Sequence, residues 1–325
     1  MNKTILITGV AGMIGSHLSE ELLARDYKVV GIDDLSYGSL SNLSGSLPHP
    51  NFKFYKVNIL DFDTLKILSK DVSTIIHLAA VKKIAEKDIS LPTLQVNTKG
   101  TENVLEAAKM WGCKVVFAST SDVYGTSPHL PLNEDGDLTI GPSLIRRWSY
   151  AVSKLYGEQL AFAYYHDHKL PIVIIRYFGA FSHRSSFSWS GGHIPIFIRA
   201  ILKDEEVIIH GNGSQTRSMG FVSDLVQGTI LALESERAVG EIINIGNDEE
   251  LSVLDSAKLI SKIVNNGLEP RLKFVPMSEV FGKYKDIQRR IPDLSKAKRL
   301  LGYEPKTRLE DAIRLTVREM HAGHM

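Results

Sequence analysis

The chain contains 325 residues, of which 43% are apolar and 23% charged, a composition typical of a folded globular protein with a large core and a second lobe. Its 38 basic and 37 acidic side chains leave a formal net charge of +1, which favours a small ligand over nucleic acid or an anionic membrane. Cys113 is the only cysteine, which excludes an intrachain disulfide and suits a reducing cytoplasm. The apolar stretch Ile5–Ile14 is interrupted by glycines and is not typical of a signal peptide, and no run reaches the roughly 18 apolar residues of a membrane span.

The first half of the chain alternates short apolar, β-branched runs with helical patterns, the rhythm of βαβ units and a parallel sheet. The predicted strands are Thr4–Ile7, Lys28–Ile32, Phe52–Lys56, Thr74–His77, Lys114–Ala118 and Ile172–Arg176. The predicted helices are Ser16–Arg25, Thr64–Leu68, Thr93–Met110 and Ser149–His168. Because the strands are apolar on both faces, we expect helices on both sides of the sheet. The sequence therefore predicts a Rossmann-type, doubly wound α/β domain over residues 1–178.

The rhythm fails after Phe178, where Ser, Gly, His and Arg dominate the segment Ser182–Gly192 and short helices and loops are expected to follow. The run Gly240–Gly246 is strand-like again, which predicts a segment near residues 219–250 that returns to the main sheet. Residues 179–325 are therefore predicted to form a smaller, partly interleaved α/β lobe.

A glycine-rich turn, T-G-V-A-G-M-I-G, separates the first predicted strand from the first predicted helix and contains Gly9, Gly12 and Gly15. A backbone without Cβ atoms can approach a pyrophosphate closely, and the helix N-terminus directs the N–H groups of Met13 and Ile14 toward it. Glycines in an ordinary tight turn are the alternative. The order of strand, turn, helix and later acidic residue favours a dinucleotide site.

The acidic residue is Asp33, at the end of the second predicted strand, where a carboxylate can accept hydrogen bonds from the adenosine ribose. A 2′-phosphate would be repelled there, and no arginine directly follows, so NAD is favoured over NADP. The alternative is that Asp33 or Asp34 merely opens a turn.

The segment Y-A-V-S-K places Tyr150 and Lys154 four residues apart, on one face of a predicted helix. A phenol with a pKa of about 10 is a poor base, and a neighbouring ammonium is expected to lower that pKa. Thr120, directly after a predicted strand, is the candidate for a hydroxyl that shares a hydrogen bond with the reacting oxygen. For Thr120 and the neighbouring serines Ser119 and Ser121, a turn-capping role is the alternative.

Four motifs together resemble the extended short-chain dehydrogenase/reductase family of sugar-nucleotide epimerases, dehydratases and decarboxylases: T-G-V-A-G-M-I-G, H-L-A-A (His77–Ala80), S-T-S-D-V-Y-G and Y-A-V-S-K. The resemblance covers nearly the whole chain. It implies that Thr120, Tyr150 and Lys154 are the catalytic residues, that NAD is the cofactor and that a UDP-sugar is the substrate. It also implies a homodimer.

The resemblance further assigns cofactor contacts, some of them by backbone atoms. These residues are Gly9, Gly12, Met13, Ile14, Gly15, Asp33, Asn58, Ile59, Leu78, Ala79, Ala80, Lys82, Asn97, Tyr150, Lys154 and Tyr177. Two positions depart from the family pattern. Asn58 stands where an adenine-binding Asp is usual, and Gly179 stands where an Asn usually follows the R-Y-F motif.

Stretches of the second half also resemble the UDP-sugar branches, notably G-N-G-S-Q-T-R (Gly211–Arg217), in which Arg217 would clamp the pyrophosphate. The expected substrate contacts are Lys82, Asp122, Arg184, His193, Arg217 and Arg290. No metal site is expected, because the His-containing segment Ser182–His193 lacks cysteines and acidic residues.

The resemblance implies a shared first step, in which hydride leaves C4 of the sugar for NAD, and several possible outcomes. A UDP-hexose or UDP-hexuronate 4-epimerase ranks first, because Lys82 matches a lysine of UDP-galactose 4-epimerases. A UDP-glucuronate decarboxylase ranks second: Arg146–Tyr150 and Gln288–Asp293 resemble those enzymes, and Arg290 matches an arginine that assists at the carboxylate, but their Glu is replaced by Asp122. Solvated surface charges are the alternative for Lys82 and Arg290.

Two further readings rank lower. A dehydratase resembles the chain least, because its motif has Asp-Glu where Ser121-Asp122 stand. A non-catalytic NAD-binding scaffold is the alternative outside enzymes, since a fold alone does not establish chemistry.

Overall fold

The computed structural model describes residues 3–82, 90–188, 192–265, 267–281 and 287–322. In this part of the chain, seven strands form one parallel sheet in the order β10-β6-β5-β4-β1-β2-β3, numbered along the chain. Their bounds are β1 Thr4–Thr8, β2 Lys28–Asp33, β3 Phe52–Lys56, β4 Thr74–His77, β5 Lys114–Thr120, β6 Ile172–Tyr177 and β10 Glu241–Ile245. The predicted Rossmann-type parallel sheet is therefore confirmed.

Helices cover both faces of the sheet, and they are α1 Met13–Ala24, α2 Phe62–Leu68, α3 Ser90–Trp111, α4 Trp148–His168 and α6 Val222–Glu234. Alternate residues of one strand point to opposite faces. Ile5 and Ile7 of β1 belong to the core that contains α1 and α6 side chains, whereas Leu6 belongs to the core under α3 and α4. The doubly wound arrangement follows from this two-sided apolar pattern.

α1 and α3 each begin three residues before the predicted start, and among the strands the bounds differ most in β5, which meets the site. β5 extends two residues beyond the predicted Ala118 and ends at Thr120, whose hydroxyl accepts a hydrogen bond from the Asp122 backbone N–H at 3.2 Å. A polar S-T-S run reads as a loop in the sequence, but the backbone of this run pairs with β6 up to Tyr177. The catalytic candidate Thr120 is therefore fixed by the sheet rather than by a free loop.

The second lobe contains two small sheets in the described part of the chain. They pair β11 Glu250–Ser252, β9 Thr216–Phe221 and β7 Gly179–Phe181, and separately β12 Leu272–Val275 with β8 Val207–His210. Its helices are α5 His193–Leu202, α7 Val253–Val264, α8 Met277–Phe281, α9 Ser295–Leu301 and α10 Leu309–Ala322. The helices of this lobe are short, from 5 residues in α8 to 14 in α10, and α7 and α10 are amphipathic.

The two lobes share elements. β10 pairs with β6 at the edge of the main sheet, with Ile243 opposite Ile175, and α6 packs against α1. The Asp224 carboxylate at the start of α6 accepts hydrogen bonds from the backbone N–H groups of Lys306 and Thr307 at 3.1 and 3.0 Å. The division of the chain at residue 178 stays a prediction. Over the described ranges, no helix is both long and apolar enough to cross a membrane.

Candidate active site

The glycine-rich turn between β1 and α1 is built for close backbone approach. Gly9 has a φ of +72°, and a Cβ atom there would lie 2.7 Å from the Ala79 backbone nitrogen. A Cβ atom on Gly15 would overlap the Gly9 carbonyl oxygen. α1 begins at Met13 after Gly12, with no side-chain cap and no acidic residue in its first turn. Its positive end therefore remains available to an anion such as a pyrophosphate.

Asp33 holds this turn against the end of β2. Its Oδ2 accepts a hydrogen bond from the Ala11 N–H at 3.0 Å, and its Oδ1 accepts one from the Leu35 N–H at 2.8 Å. Burial raises the pKa of Asp33, and the two backbone hydrogen bonds oppose that rise. Since a carboxylate has about four lone-pair directions, acceptor capacity remains for the ribose hydroxyls of a nucleotide.

Asn58 differs from the family pattern in chemistry and in partners. Its amide Nδ2 donates to Asp34 Oδ2 at 2.8 Å, while its Oδ1 accepts from the Leu60 N–H at 2.9 Å. The neighbouring Ile59 is buried under α3, where a Cβ atom on Gly100 would meet its side chain. The structure thus joins Asn58 to Asp34 at the surface, and its contact with adenine stays a prediction.

The segment after β4 is fixed by buried polar side chains. His77 contacts Thr8 Oγ1 through Nδ1 at 2.7 Å and Thr101 Oγ1 through Nε2 at 3.1 Å. The Asn97 amide accepts a hydrogen bond from the Val81 N–H at 2.8 Å and donates to Ser153 Oγ on α4 at 3.0 Å. Asn97 therefore ties the Leu78–Val81 segment, which contains the predicted cofactor contacts Ala79 and Ala80, to the catalytic helix.

The three predicted catalytic residues converge at the carboxyl end of β5. Tyr150 and Lys154 lie in α4, both buried, and the Thr120 hydroxyl hydrogen-bonds to the Tyr150 phenol. The Lys154 Nζ donates to the Ala118 carbonyl oxygen at 2.7 Å and lies 4.9 Å from the Phe117 ring centroid. This geometry can serve proton removal from a bound alcohol.

The pKa of Tyr150 is shifted in the direction opposite to the expected one. Burial raises the pKa of Tyr150, the negative charge of Asp122 raises it further, and the hydrogen bond with Thr120 opposes both effects. Burial lowers the pKa of Lys154 to about 7, against the charge of Glu158, which raises it. Both side chains are thus shifted toward their neutral forms, because desolvation penalises either charge.

Basic side chains surround the Asp122 carboxylate beside Tyr150. Arg290 Nη2 lies 2.8 Å and Arg147 Nη2 3.5 Å from its Oδ1, and the Lys82 Nζ lies 5.8 Å from the Tyr150 ring centroid. Burial by itself raises the pKa of Asp122, but the charges of Arg290, Lys82 and Arg147 outweigh it and hold the pKa well below its usual range. Burial lowers the pKa of Lys82, and the charge of Asp122 opposes that shift. The two arginines alone exceed the single negative charge of Asp122, so the site favours a further anion.

Arg147 is a site residue that the sequence analysis missed. Its side chain is buried, and its guanidinium lies 5.1 Å from the Trp148 ring centroid at the start of α4. The sequence signal that could have identified Arg147 was its place three residues before Tyr150, within R-R-W-S-Y.

Arg290 has a donor that is still available to a ligand. Its Nε is buried and has no hydrogen-bond partner among the described residues, which leaves one N–H for a ligand.

Other predicted substrate contacts lie outside this cluster. Arg184 pairs with both carboxylate oxygens of Glu20 on α1, at 2.8 and 3.0 Å. Arg217 donates from Nη1 to the carbonyls of Thr216 and Ile287, at 2.7 and 2.8 Å. Both pairings anchor the arginines to the protein, so their contacts with substrate stay predictions.

The structure also gives the surroundings of three other positions named in the sequence analysis, His193, Tyr177 and Gly179. His193 is buried at the first position of α5, with its ring 5.3 Å from that of Phe197. The Tyr177 hydroxyl is buried against Thr229 Oγ1 at 2.6 Å, and its contact with the cofactor stays a prediction. A Cβ atom on Gly179 would overlap the Met219 sulfur, so the position has no room for a larger side chain in this arrangement.

The comparison with known proteins agrees with this architecture. A family model described as GDP-mannose 4,6 dehydratase matches residues 6–316. A UDP-N-acetyl-alpha-D-glucosaminuronate decarboxylase of Bacillus cytotoxicus is 37% identical over 324 residues, which are 98% of this chain and 97% of that protein. UDP-glucuronic acid decarboxylase 1 of Danio rerio is 34% identical over 319 residues, covering 97% of this chain and 72% of that protein.

Among solved structures, a UDP-glucuronic acid 4-epimerase from Bacillus cereus in complex with UDP-glucuronic acid and NAD superimposes with a TM-score of 0.88. It is 32% identical, and the match covers 98% of this chain and 99% of that one. Fold and site together define an enzyme of the NAD-dependent sugar-nucleotide epimerase and decarboxylase class. The chain belongs to the GDP-mannose 4,6-dehydratase family of extended short-chain dehydrogenases/reductases.

Proposed function

We propose that this enzyme oxidises C4 of a UDP-linked hexuronic acid with NAD and that the resulting 4-keto acid loses its carboxylate as CO₂. The observation that carries the substrate class is the cationic cluster of Arg290, Arg147 and Lys82 around Asp122, next to Tyr150. A neutral sugar would leave this surplus of positive charge uncompensated, whereas a C6 carboxylate would compensate it.

The described residues fit NAD. The glycine turn admits a pyrophosphate at the uncapped start of α1, Asp33 offers acceptors to the adenosine ribose, and Lys154 lies below Tyr150 on the same helix face. When bound, NAD supplies the acceptor for the C4 hydride and a positive charge that favours the phenolate. The relatives named above support UDP as the nucleotide.

In the first step, Tyr150 removes the proton of the C4 hydroxyl while the C4–H bond electrons leave as hydride. Thr120, already hydrogen-bonded to the phenol, orients the reacting oxygen. Oxidation at C4 makes the C6 carboxylate β to a ketone. The C5–C6 bond can then break, with its electron pair moving into a C4 enolate that the Tyr150 hydroxyl stabilises.

The cationic cluster contributes orientation. Arg290 and Arg147 can hold the carboxylate so that the C5–C6 bond stands across the plane of the ketone, the geometry needed for its cleavage. After CO₂ leaves, C5 would take a proton, and the bound reduced cofactor would supply the hydride that reduces C4 again. The net reaction consumes one proton and releases CO₂ and a UDP-pentose, with NAD regenerated.

A 4-epimerisation of the same acidic sugar is the second candidate, and it ranks first in the sequence analysis. One observation favours it: Asp122 is one methylene shorter than the Glu of the decarboxylases it resembles, and it is engaged by Arg290 at 2.8 Å. A carboxylate so held is less able to assist at C5. The keto sugar would then turn over and receive hydride on its other face.

The deciding experiment incubates the purified enzyme with UDP-glucuronate, UDP-N-acetylglucosaminuronate, UDP-glucose and UDP-N-acetylglucosamine, followed by mass spectrometry. We expect a product lighter by CO₂ from a uronate; an isomer of unchanged mass would favour the epimerase. Tyr150→Phe is the matched inactive control and should retain NAD. Equal turnover of neutral sugars, unaffected by Arg290→Met, would contradict the proposed substrate class.

A further inference from the structure

A buried polar chain lies under the catalytic helix and takes no part in the steps above. Glu158 is 1% exposed, and its carboxylate receives Arg176 Nη2 at 2.7 Å and Nε at 3.0 Å. The Ser119 hydroxyl donates a short hydrogen bond to the same carboxylate. A buried carboxylate with an arginine fork and a hydroxyl has most of its acceptor capacity filled, and its position is therefore rigid.

These contacts join the two elements that carry the catalytic residues, α4 and β5, to the neighbouring strand β6. Glu158 lies one helical turn after Lys154 in α4, Ser119 directly precedes Thr120 in β5, and Arg176 belongs to β6. The Lys154 Nζ is held at the Ala118 carbonyl, next to Ser119 in β5. Glu158 thus fixes α4 to the carboxyl ends of β5 and β6.

Glu158 is also the anion that faces the Lys154 ammonium. The other ionisable group that interacts with Lys154 is His77 on β4, while Tyr150 lies one turn before Lys154 on α4 and Arg176 of β6 pairs with Glu158. Burial lowers the pKa of His77 to about 3, so this ring is neutral, and the Arg176 charge is directed at Glu158. Burial brings the pKa of Lys154 to about 7, and the Glu158 charge opposes that shift.

We propose that Glu158 is a positioning residue for the catalytic pair: it keeps Lys154 an ammonium at the Ala118 carbonyl and sets the distance between α4 and Thr120. Its action on the sugar is indirect, through Lys154 and Tyr150. The proposal concerns the oxidation step, and it holds for decarboxylase and epimerase alike.

The test is Glu158→Gln, which keeps the shape of the side chain and removes its charge. Without that charge, Lys154 loses its proton at lower pH, so the ammonium that would stabilise a phenolate forming at Tyr150 during proton transfer is lost. We expect the pH–kcat profile to narrow, with the alkaline limb moved to lower pH by at least about one unit. A uniform loss at all pH values, or an unchanged profile, would overturn the proposal.

A readout that needs no sugar is the pH dependence of NAD binding, measured by titration calorimetry. Affinity should fall as Lys154 loses its proton, at lower pH in Glu158→Gln than in the wild type, and this transition should be absent in Lys154→Met. If the transition persists in Lys154→Met or stays in place in Glu158→Gln, the proposal fails, whatever sugar the enzyme uses.

Two further variants guard against a folding defect. In Glu158→Gln, the buried Arg176 loses its counter-charge, so the double variant Glu158→Gln/Arg176→Met removes both charges and should show the same displaced limb. The control variant is Glu241→Gln. It removes a carboxylate of strand β10 that pairs with Lys296 of α9, and it should leave the pH–kcat profile in place. A displaced limb in the control, or a normal limb in the double variant, would contradict the assignment.

Discussion

At the scale of single residues, burial decides the charges of the site. Tyr150 and Lys154 are both shifted toward neutrality, and Asp122 keeps its charge only because Arg290, Lys82 and Arg147 surround it. Burial therefore shifts a side chain with few counter-charges toward its neutral form, whereas a buried side chain with several counter-charges stays charged. A motif specifies that a Tyr and a Lys share a helix face, but the number of counter-charges around them is a property of the fold.

Asp33 carries a prediction about cofactor choice. In Asp33→Asn the formal charge is lost while one carbonyl acceptor remains, so repulsion of a 2′-phosphate weakens. We expect the preference for NAD over NADP to fall about tenfold, or ~1.4 kcal/mol, and calorimetric titration with both nucleotides measures it. Asp34→Asn, at the acidic residue paired with Asn58, is the control. An unchanged preference in Asp33→Asn would refute the role of the Asp33 charge.

His77 carries a prediction about pH and stability. Burial lowers its pKa from 6.5 to about 3, so between those values the unfolded chain binds a proton that the folded chain excludes. The free energy of unfolding must therefore decrease as pH falls through this window, by up to about 1.4 kcal/mol per pH unit for this ring.

Urea unfolding at several pH values measures this effect. His77→Gln retains hydrogen-bonding capacity toward Thr8 and Thr101. Between about pH 6 and about pH 4, we expect its free energy of unfolding to depend on pH less steeply than in the wild type, by up to about 1.4 kcal/mol per pH unit. The exposed His129→Gln is the control and should keep the wild-type slope. A slope that is equal in His77→Gln and the wild type would show that His77 does not titrate as described.

The sequence identified the site residues that lie in contiguous motifs, because a helix or a strand end brings them together locally. Thr120, Tyr150 and Lys154 belong to this group, and the structure brings them together. The pairing of Asp122 with Arg290 depends on a contact between distant parts of the chain, and no local pattern specifies it. Arg147 was missed for a related reason. It follows Arg146, which is exposed, and nothing in the sequence distinguishes the buried arginine from the exposed one.

At the scale of elements, the strands of the main sheet were the easiest to predict. The fully buried β4 and the largely exposed edge strand β3 both have the predicted bounds, because each short strand-like run is flanked by turn residues. The second lobe was harder, because its helices follow Ser- and Gly-rich segments that read as loops. Yet α7 carried a recognisable start signal: the Ser252 hydroxyl caps the helix by accepting from the Asp255 N–H at 2.9 Å.

Lys114 at the start of β5 carries a prediction about element packing. Its Nζ donates to the carbonyls of Leu233 and Ser235 at 2.9 and 3.1 Å, at the C-terminal end of α6. A cation at this end satisfies free carbonyls and opposes the negative helix pole. We expect Lys114→Met to lower the free energy of unfolding by about 1–2 kcal/mol, measured by urea denaturation. The exposed Lys28→Met is the control, and equal stability of the two variants would contradict the capping role.

At the scale of the whole molecule, the second half of the chain completes the first. β10 closes the sheet beside β6, and α6 covers α1 on one face. The Tyr303 hydroxyl donates to the Gly246 carbonyl at 2.7 Å. The Tyr303 ring packs closely on Gly228 of α6, where an added Cβ atom would lie 3.0 Å from it. Sequence periodicity indicated the returning strand, but neither the packing of α6 on α1 nor the contact of Tyr303 followed from it.

This interleaving predicts that residues 1–178 do not fold as an independent domain. Without β10 and α6, the fragment would leave β6 as an unpaired edge and expose the buried α1 side chains Leu18 and Leu22. We expect it to aggregate or to bind a hydrophobic dye, with no cooperative transition in urea. Co-expression with residues 179–325 supplies both elements in a second chain and should restore cooperative unfolding. A fragment that unfolds cooperatively alone, as stably as the full chain, would show that the first half is complete without the second.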